Sequence, residues 1–472
     1  MYIEQFYIPK IAHSSYLLGG EENCAIVDPS RDVGRYIAAA KNMGFKITHI
    51  LETHLHADFI SGHMDLAEKT GATIYAPASA NCQFKHQALK EGYKFQIDNV
   101  SISVLETPGH TPEHIAYVVT DKSRGNEPAV LFTGDTMFVG DVGRPDLFPG
   151  RAEELASKLF DSLKKFKSLP DFCEVLPAHG AGSLCGRAMG AKRRSTIGYE
   201  KRYNEALQIQ TEKDFIASLT NEMPPVPDHF GRCSEINRMG PQLVQKLSKI
   251  KDLSPLEFGK LAESDEYVVL DCRSYDAFEG QHIINSYGID FDGNFPTFSG
   301  WVIPPEKKIL LVTPDRVPAE EVAVWLRRVG LDNACGFLEG GMFEWAKDGL
   351  PSCHVLQVSS PELESLQKKN NIQILDVRAI HEFEEHHMKG AINVPAPDLR
   401  ERYKELDKEI QYYVICSTGH RSTLAISLLL QRGFEHLVNV AGGMTGMGEF
   451  GENKETIKKW GSFPYRWKFH RK

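Results

Sequence analysis

Thr53-His54-Leu55-His56-Ala57-Asp58-Phe59 sets two imidazoles two residues apart and a carboxylate two further on, a donor set suited to a metal ion. Such spacing cannot share one face of a helix. At the end of a strand, where side chains alternate, His54 and His56 point the same way. The run Ile47-Thr48-His49-Ile50-Leu51-Glu52 predicts that strand. A two-metal hydrolase on this pattern needs another imidazole directly after the aspartate. Phe59 stands there and cannot bind a metal. The pattern therefore predicts a mononuclear centre and moves the expected chemistry from hydrolysis towards oxygen activation.

The elements that must position such a site recur downstream. Ile102-Ser103-Val104-Leu105-Glu106 leads into Thr107-Pro108-Gly109-His110, Val130-Leu131-Phe132-Thr133 into Gly134-Asp135, and Cys173-Glu174-Val175-Leu176 into Pro177-Ala178-His179. Apolar runs that end in a donor beside Gly or Pro are what a sheet scaffold needs to converge side chains from separate loops.

As a set, His-x-His-x-Asp, Thr-Pro-Gly-His, Gly-Asp and Pro-Ala-His resemble the motifs of the metallo-β-lactamase superfamily. The run Gly134-Asp135-Thr136-Met137-Phe138-Val139-Gly140-Asp141-Val142-Gly143-Arg144-Pro145-Asp146 resembles its persulfide dioxygenase branch. This resemblance implies an αββα sandwich holding one Fe(II) on His54, His110 and Asp135. Two imidazoles and one carboxylate leave open positions, as in non-haem iron centres that bind substrate and oxygen together. His56, Asp58 and His179 are then expected to orient ligands and to hydrogen-bond bound species; a vestigial dizinc site is the competing reading. Arg144 is either an anchor for an anionic part of the thiol carrier or a structural partner of Asp141 or Asp146. Cys185, on the glycine-rich stretch after His179, is either a sulfur carrier or a buried thiol. Cys233 is a weaker candidate of the same kind.

A proline-rich break at Met223-Pro224-Pro225-Val226-Pro227-Asp228 reads as a stiff connector. Beyond it the chain repeats itself. Leu270-Asp271-Cys272-Arg273 recurs as Leu375-Asp376-Val377-Arg378, His282 as His387, and Glu339-Gly340-Gly341-Met342 as Ala441-Gly442-Gly443-Met444. Short apolar runs alternate with helical segments in each copy, which predicts a small α/β domain with a parallel sheet. In the second copy Tyr412-Tyr413-Val414-Ile415 feeds Cys416-Ser417-Thr418-Gly419-His420-Arg421-Ser422 and then a helix. Loop amides, the helix N-terminus and Arg421 favour a thiolate there. With the flanking motifs this resembles a rhodanese sulfurtransferase domain, which implies that Cys416 takes up sulfane sulfur on the loop Ser417, Thr418, Gly419 and His420. Tyrosine phosphatases place five residues between cysteine and arginine; here there are four, a cradle for sulfur rather than a phosphoryl group. The first copy carries Thr313-Pro314-Asp315-Arg316-Val317-Pro318 at this place. A hydroxyl holds no persulfide and prolines remove amides, so this copy is expected to be silent and to serve docking.

The expected fold is α/β throughout. An αββα sandwich is expected over residues 1–240, an inactive rhodanese-like domain over 250–353 and an active one over 356–472. A net charge of −9 disfavours nucleic acid and anionic membranes. No basic-then-apolar leader or spanning run is read. Nine cysteines without a Cys-x-x-Cys pair fit reduced thiols in a cytoplasm. The expected function is iron-dependent oxidation of a low-molecular-weight thiol persulfide to sulfite and thiol, coupled to sulfur transfer involving thiosulfate, with dioxygen as co-substrate and possible homo-oligomers. The alternatives are a zinc thioesterase of the glyoxalase II kind with regulatory rhodanese units, and a non-catalytic persulfide sensor.

Overall fold

In the strand Ile115–Asp121 every residue but Thr120 is buried, because both of its faces are covered. Ile115, Tyr117 and Val119 enter one core while Ala116 and Val118 enter another, the period-two division of a sheet packed on both sides. The computed structural model that shows this describes residues 1–452 except 222, 224, 315, 316 and 370. Pro224 of the connector, and Asp315 and Arg316 of the loop after Val312, lie outside the described residues.

The chain forms two compact units. One comprises residues 1–248 with 299–305 and 323–333; the other comprises 249–298, 306–322 and 334–472. Two six-stranded sheets build the first unit. In one, Tyr2–Ile8, His13–Gly19, Asn23–Val27, Lys46–Leu51, Thr73–Pro77 and Gln87–Leu89 lie in sequence order. In the other the order runs Ser195–Thr196, Glu174–Pro177, Val130–Gly134, Ile115–Asp121, Val100–Glu106, Lys94–Ile97. Tyr16, Leu18, Ala25 and Val27 from the first sheet meet Val100, Ile102, Val104 and Phe132 from the second in the central core. Leu17, Cys24 and Ile26 point away, towards Tyr36 and Ala40 of the helix Gly34–Met43 and Leu66 of His63–Thr70. Leu131 and Val175 do the same on the far side, towards Leu159, Leu163 and Phe166 of Ala152–Lys167. This is the αββα sandwich.

The second unit contains the repeat. Lys251–Leu253, Ala334–Leu338, Lys308–Val312, Tyr267–Asp271 and Tyr287–Gly288 form one five-stranded sheet, all neighbours parallel. Leu356–Ser359, Leu437–Ala441, Tyr412–Ile415, Gln373–Asp376 and Ile392–Asn393 form another with the same order and sense. Both rhodanese-like sheets are thus parallel, as the alternating pattern predicts.

Candidate functional site

Each donor of the first unit stands just beyond a strand end. Lys46–Leu51 delivers the segment from Glu52 to Asp58, Val100–Glu106 delivers His110, Val130–Gly134 delivers Asp135, and Glu174–Pro177 delivers His179. Donor atoms of His54, His110 and Asp135 lie within 4.8 Å of one another, all buried. The neighbours fix both rings. Thr53 Oγ1 donates its proton to Asp28 Oδ2 at 2.9 Å, so at 2.9 Å from His54 Nδ1 it can only accept. His110 Nδ1 likewise donates to the Arg144 carbonyl at 3.0 Å. Each Nε2 therefore carries a lone pair, and neither has a hydrogen-bond partner. They face Asp135 Oδ2 at 3.9 and 3.4 Å. Burial lowers the basicity of His54 and, despite Asp135, of His110. Burial alone would raise the Asp135 carboxyl, but His179 and then His110 outweigh it and hold it well below the usual range. Two neutral imidazoles and an anionic carboxylate, with orphaned lone pairs aimed inward, fit a divalent metal.

His179 Nδ1 donates to both oxygens of Asp135, at 2.8 and 2.9 Å, and its Nε2 lies 2.8 Å from Asp58 Oδ2. Asp58, His179 and Cys185 form a second buried group with donor atoms that close together. Burial, then Asp58 and Asp135, push the Cys185 thiol well up. Burial there disfavours the thiolate form. His56 departs from expectation. The strand ends at Leu51, so alternation does not extend to the two histidines. Instead His56 Nε2 lies 3.1 Å from Asp28 and 3.7 Å from Glu52, in a third buried group.

Arg144 is placed against Asp146. It is buried, and its guanidinium grips Asp146 at 2.7 and 2.8 Å. It therefore offers no free fork to a carrier; its backbone carbonyl serves His110 instead. Asp141 accepts the Arg187 and Ala188 amides. Cys233 lies in the helix His229–Met239, buried, with its thiol pushed up to about 12. That helix follows the proline-rich segment and braces the site: Asn237 donates to the carbonyls of His56 and Phe59 at 2.8 Å.

Three site residues escaped the sequence reading. His114, four residues after His110, accepts the Asp135 amide at 2.9 Å; its spacing was the available signal. Gly134 permits this contact, because its φ is +50° and a Cβ would stand 2.5 Å from His114 Nε2. His13 is buried with both ring nitrogens unpartnered, 4.0 Å from the Phe59 ring and 5.5 Å from that of His179. Asp28 is the third. Neither His13 nor Asp28 sits in a motif.

In the second unit, Cys416 follows the strand Tyr412–Ile415 and precedes the helix His420–Leu430. Gly419 N–H donates to its Sγ at 3.1 Å, and Ser422 Oγ lies at 3.5 Å. Arg421 does not reach outward. It pairs with both oxygens of Glu382, at 2.5 and 2.7 Å, and bonds Ser417 Oγ at 2.6 Å. Although burial alone would raise it, Glu382 is held down to about 2 by Arg421. The sequence reading did not find Glu382. Thr313 follows Lys308–Val312 half-buried, and Cys272 is buried, as a core residue should be. Among the described residues no disulfide joins any of the cysteines.

Residues 9–179 match the metallo-beta-lactamase superfamily model, and 254–348 and 359–449 match the rhodanese-like domain. A hydroxyacylglutathione hydrolase of Pseudomonas putida (strain GB-1) is 31% identical over 217 residues, 46% of this chain and 79% of that protein. A metallo-beta-lactamase crystal structure from Staphylococcus aureus subsp. aureus COL is 34% identical. It covers 72% of this chain and 98% of its own, with a TM-score of 0.65. A crystal structure of ETHE1 from Myxococcus xanthus is 28% identical over 50% of this chain and 98% of its own, with a TM-score of 0.44.

Proposed function

Because the chain belongs to the metallo-β-lactamase superfamily and carries two rhodanese-like domains behind that fold, we propose that it is a persulfide dioxygenase coupled to a sulfurtransferase. The observation that carries this reading is Phe59. Its buried ring packs 4.4 Å from His56 and 6.2 Å from His179, where a dinuclear hydrolase needs an imidazole. Beside it the His54, His110 and Asp135 cluster is complete. These residues would hold one Fe(II), which when bound supplies open positions for a persulfide sulfur and for dioxygen.

The chain's own groups prepare that centre. Thr53 and the Arg144 carbonyl turn both Nε2 atoms inward, and His179 keeps Asp135 anionic. Phe59 and His13 close one side against water. The net reaction consumes a persulfide, dioxygen and water, and yields thiol, sulfite and two protons; the terminal sulfur is oxidised and dioxygen reduced. Cys416 then carries sulfane sulfur in one of two directions, from thiosulfate to the low-molecular-weight thiol with release of sulfite, or from a persulfide to sulfite to give thiosulfate and thiol. The division into residues 1–240, 250–353 and 356–472 belongs to this reading, as do a cytoplasmic setting and small-molecule partners. Tethering the two sites raises the effective concentration of a shared intermediate. Among the described residues no helix is long and apolar enough to cross a membrane.

Zinc-dependent thioester hydrolysis is the second reading, favoured by the retained Asp58 and His179 and by the hydrolase name of the Pseudomonas relative. Metal analysis of freshly isolated protein, combined with oxygen uptake and sulfite detection on glutathione persulfide, tests the two. One iron per chain and no sulfite without oxygen are expected. Two zinc ions in active protein, with anaerobic thioester hydrolysis, would overturn the dioxygenase reading. Phe59→His is expected to admit a second metal ion, read by the same analysis.

A further inference from the structure

We infer that Asp290, in the repeat that lacks the cysteine, is the positioning residue that holds the imidazole of His420 at the mouth of the Cys416 loop to receive an anionic sulfur donor. This rests on the reading of Cys416 as a sulfur carrier.

Asp290 Oδ2 lies 3.0 Å from His420 Nδ1. The carboxylate is buried, and it is fixed by the amides of Tyr275 at 3.2 Å and Asp292 at 2.9 Å. With Nδ1 committed inward, the other ring nitrogen of a half-exposed imidazole is the one left to donate. Arg421, the other cation of the loop, already has both terminal nitrogens on Glu382 and Ser417. Tyr275 completes the wall. Its ring meets His420 edge-on at 5.3 Å and stands 3.4 Å from where a Cβ on Gly419 would lie.

The fold itself does not demand these groups. Asp271 pairs with Gly288 in the first sheet as Asp376 pairs with Asn393 in the second, an offset of 105 on both sides of the segment (376 − 271 and 393 − 288). Adding 105 to Tyr275 and Asp290 gives Ile380 and Pro395, neither of which can hold a cation. The acidic and aromatic residues occur only in the copy that faces the thiol loop.

The step balances without a further reagent when thiosulfate is the donor. The Cys416 thiolate attacks the outer sulfur and forms a disulfide-type bond. The sulfur–sulfur bond of thiosulfate breaks, and its electron pair leaves with sulfite. Both the arriving and the leaving species are dianions, so a protonated His420 assists binding and exit.

The groups facing His420 are Asp290, Asp292, Asp276 and Tyr275 from the first repeat, and Arg421 follows it in its own loop. Asp290, at 3.0 Å the largest influence on the ring, lifts the imidazole above its ordinary 6.5. Transfer from thiosulfate should therefore be full below that raised value and fall as pH climbs through it.

Steady-state thiosulfate-to-cyanide transfer by the full chain tests this in Asp290→Asn, His420→Gln and the double variant. Asp290→Asn is expected to raise KM for thiosulfate about tenfold with kcat little changed, the loss of one charge-assisted contact. It should also move the alkaline limb of kcat/KM to lower pH. His420→Gln should raise KM similarly and abolish that limb. The double variant should be no worse than His420→Gln alone, with equal thermal midpoints showing that Asp290→Asn folds. Multiplying effects, or an unchanged KM in both single variants, would overturn the inference while Cys416 still loads in wild type. Failure of the wild-type chain to form a Cys416 persulfide, read by mass spectrometry, overturns the carrier reading and this inference together.

Discussion

The two repeats of the second unit agree where packing requires it and part where chemistry begins. In both, an aspartate at the end of a strand grips the arginine two residues on: Asp271 with Arg273, and Asp376 with Arg378, each at 2.6 Å. In both, a histidine donates to a phenylalanine carbonyl and stacks on that ring: His282 on Phe278 at 4.1 Å, His387 on Phe383 at 3.9 Å. The aspartate–arginine pairs satisfy a carboxylate that each copy buries. Thr313 against Cys416, Ile380 against Tyr275 and Pro395 against Asp290 are differences of another kind, since Tyr275 and Asp290 both lie against His420 of the Cys416 loop. The shared contacts belong to the scaffold, and these differences gather at the loop around Cys416.

The sharpest way to break this comparison is Cys416→Ser. Thiocyanate formation from thiosulfate and cyanide should fall by at least about a thousandfold, while oxygen uptake on added persulfide continues. Loss of both activities would mean that the two sites cannot be treated separately. Gly419→Ala comes next. Its φ of +109° and the nearby Tyr275 ring make a side chain cost about 1–3 kcal/mol locally. Sulfur transfer should drop about a hundredfold with the thermal midpoint little moved; full activity would show that the loop tolerates repacking.

Glu382→Gln frees Arg421 from its pair, and transfer should fall about tenfold. It also changes acid stability. A carboxyl held down to about 2 contributes stability that is present above its ordinary value of 4.5 and is lost as pH falls towards 2. The variant should lack that part of the acid dependence in denaturant titrations between about pH 4.5 and 2; identical slopes would remove the pair from the account. The smallest effect is expected from Thr313→Cys in a Cys416→Ser background. No persulfide should form on position 313 by mass spectrometry, because Pro314 and Pro318 supply no amide donors. A loaded thiol there would show that the cysteine alone separates the copies.

Much of the fold was legible because its signals are local. The strand ends before His54, His110, Asp135 and His179, the parallel repeat and the loop around Cys416 all follow from short runs of neighbouring residues. The sequence also marked Phe59 as a residue that cannot bind metal. Tertiary structure alone decided which partner each buried charge takes. Asp28 fixes the His54 ring through Thr53 and draws His56 away, and Glu382 claims Arg421. Those pairings depend on which distant segments the two sandwich sheets and the two parallel sheets bring together. A buried charge is stabilised by whatever opposite charge lies within a few ångströms, and distance in space is not written in the spacing of residues along the chain.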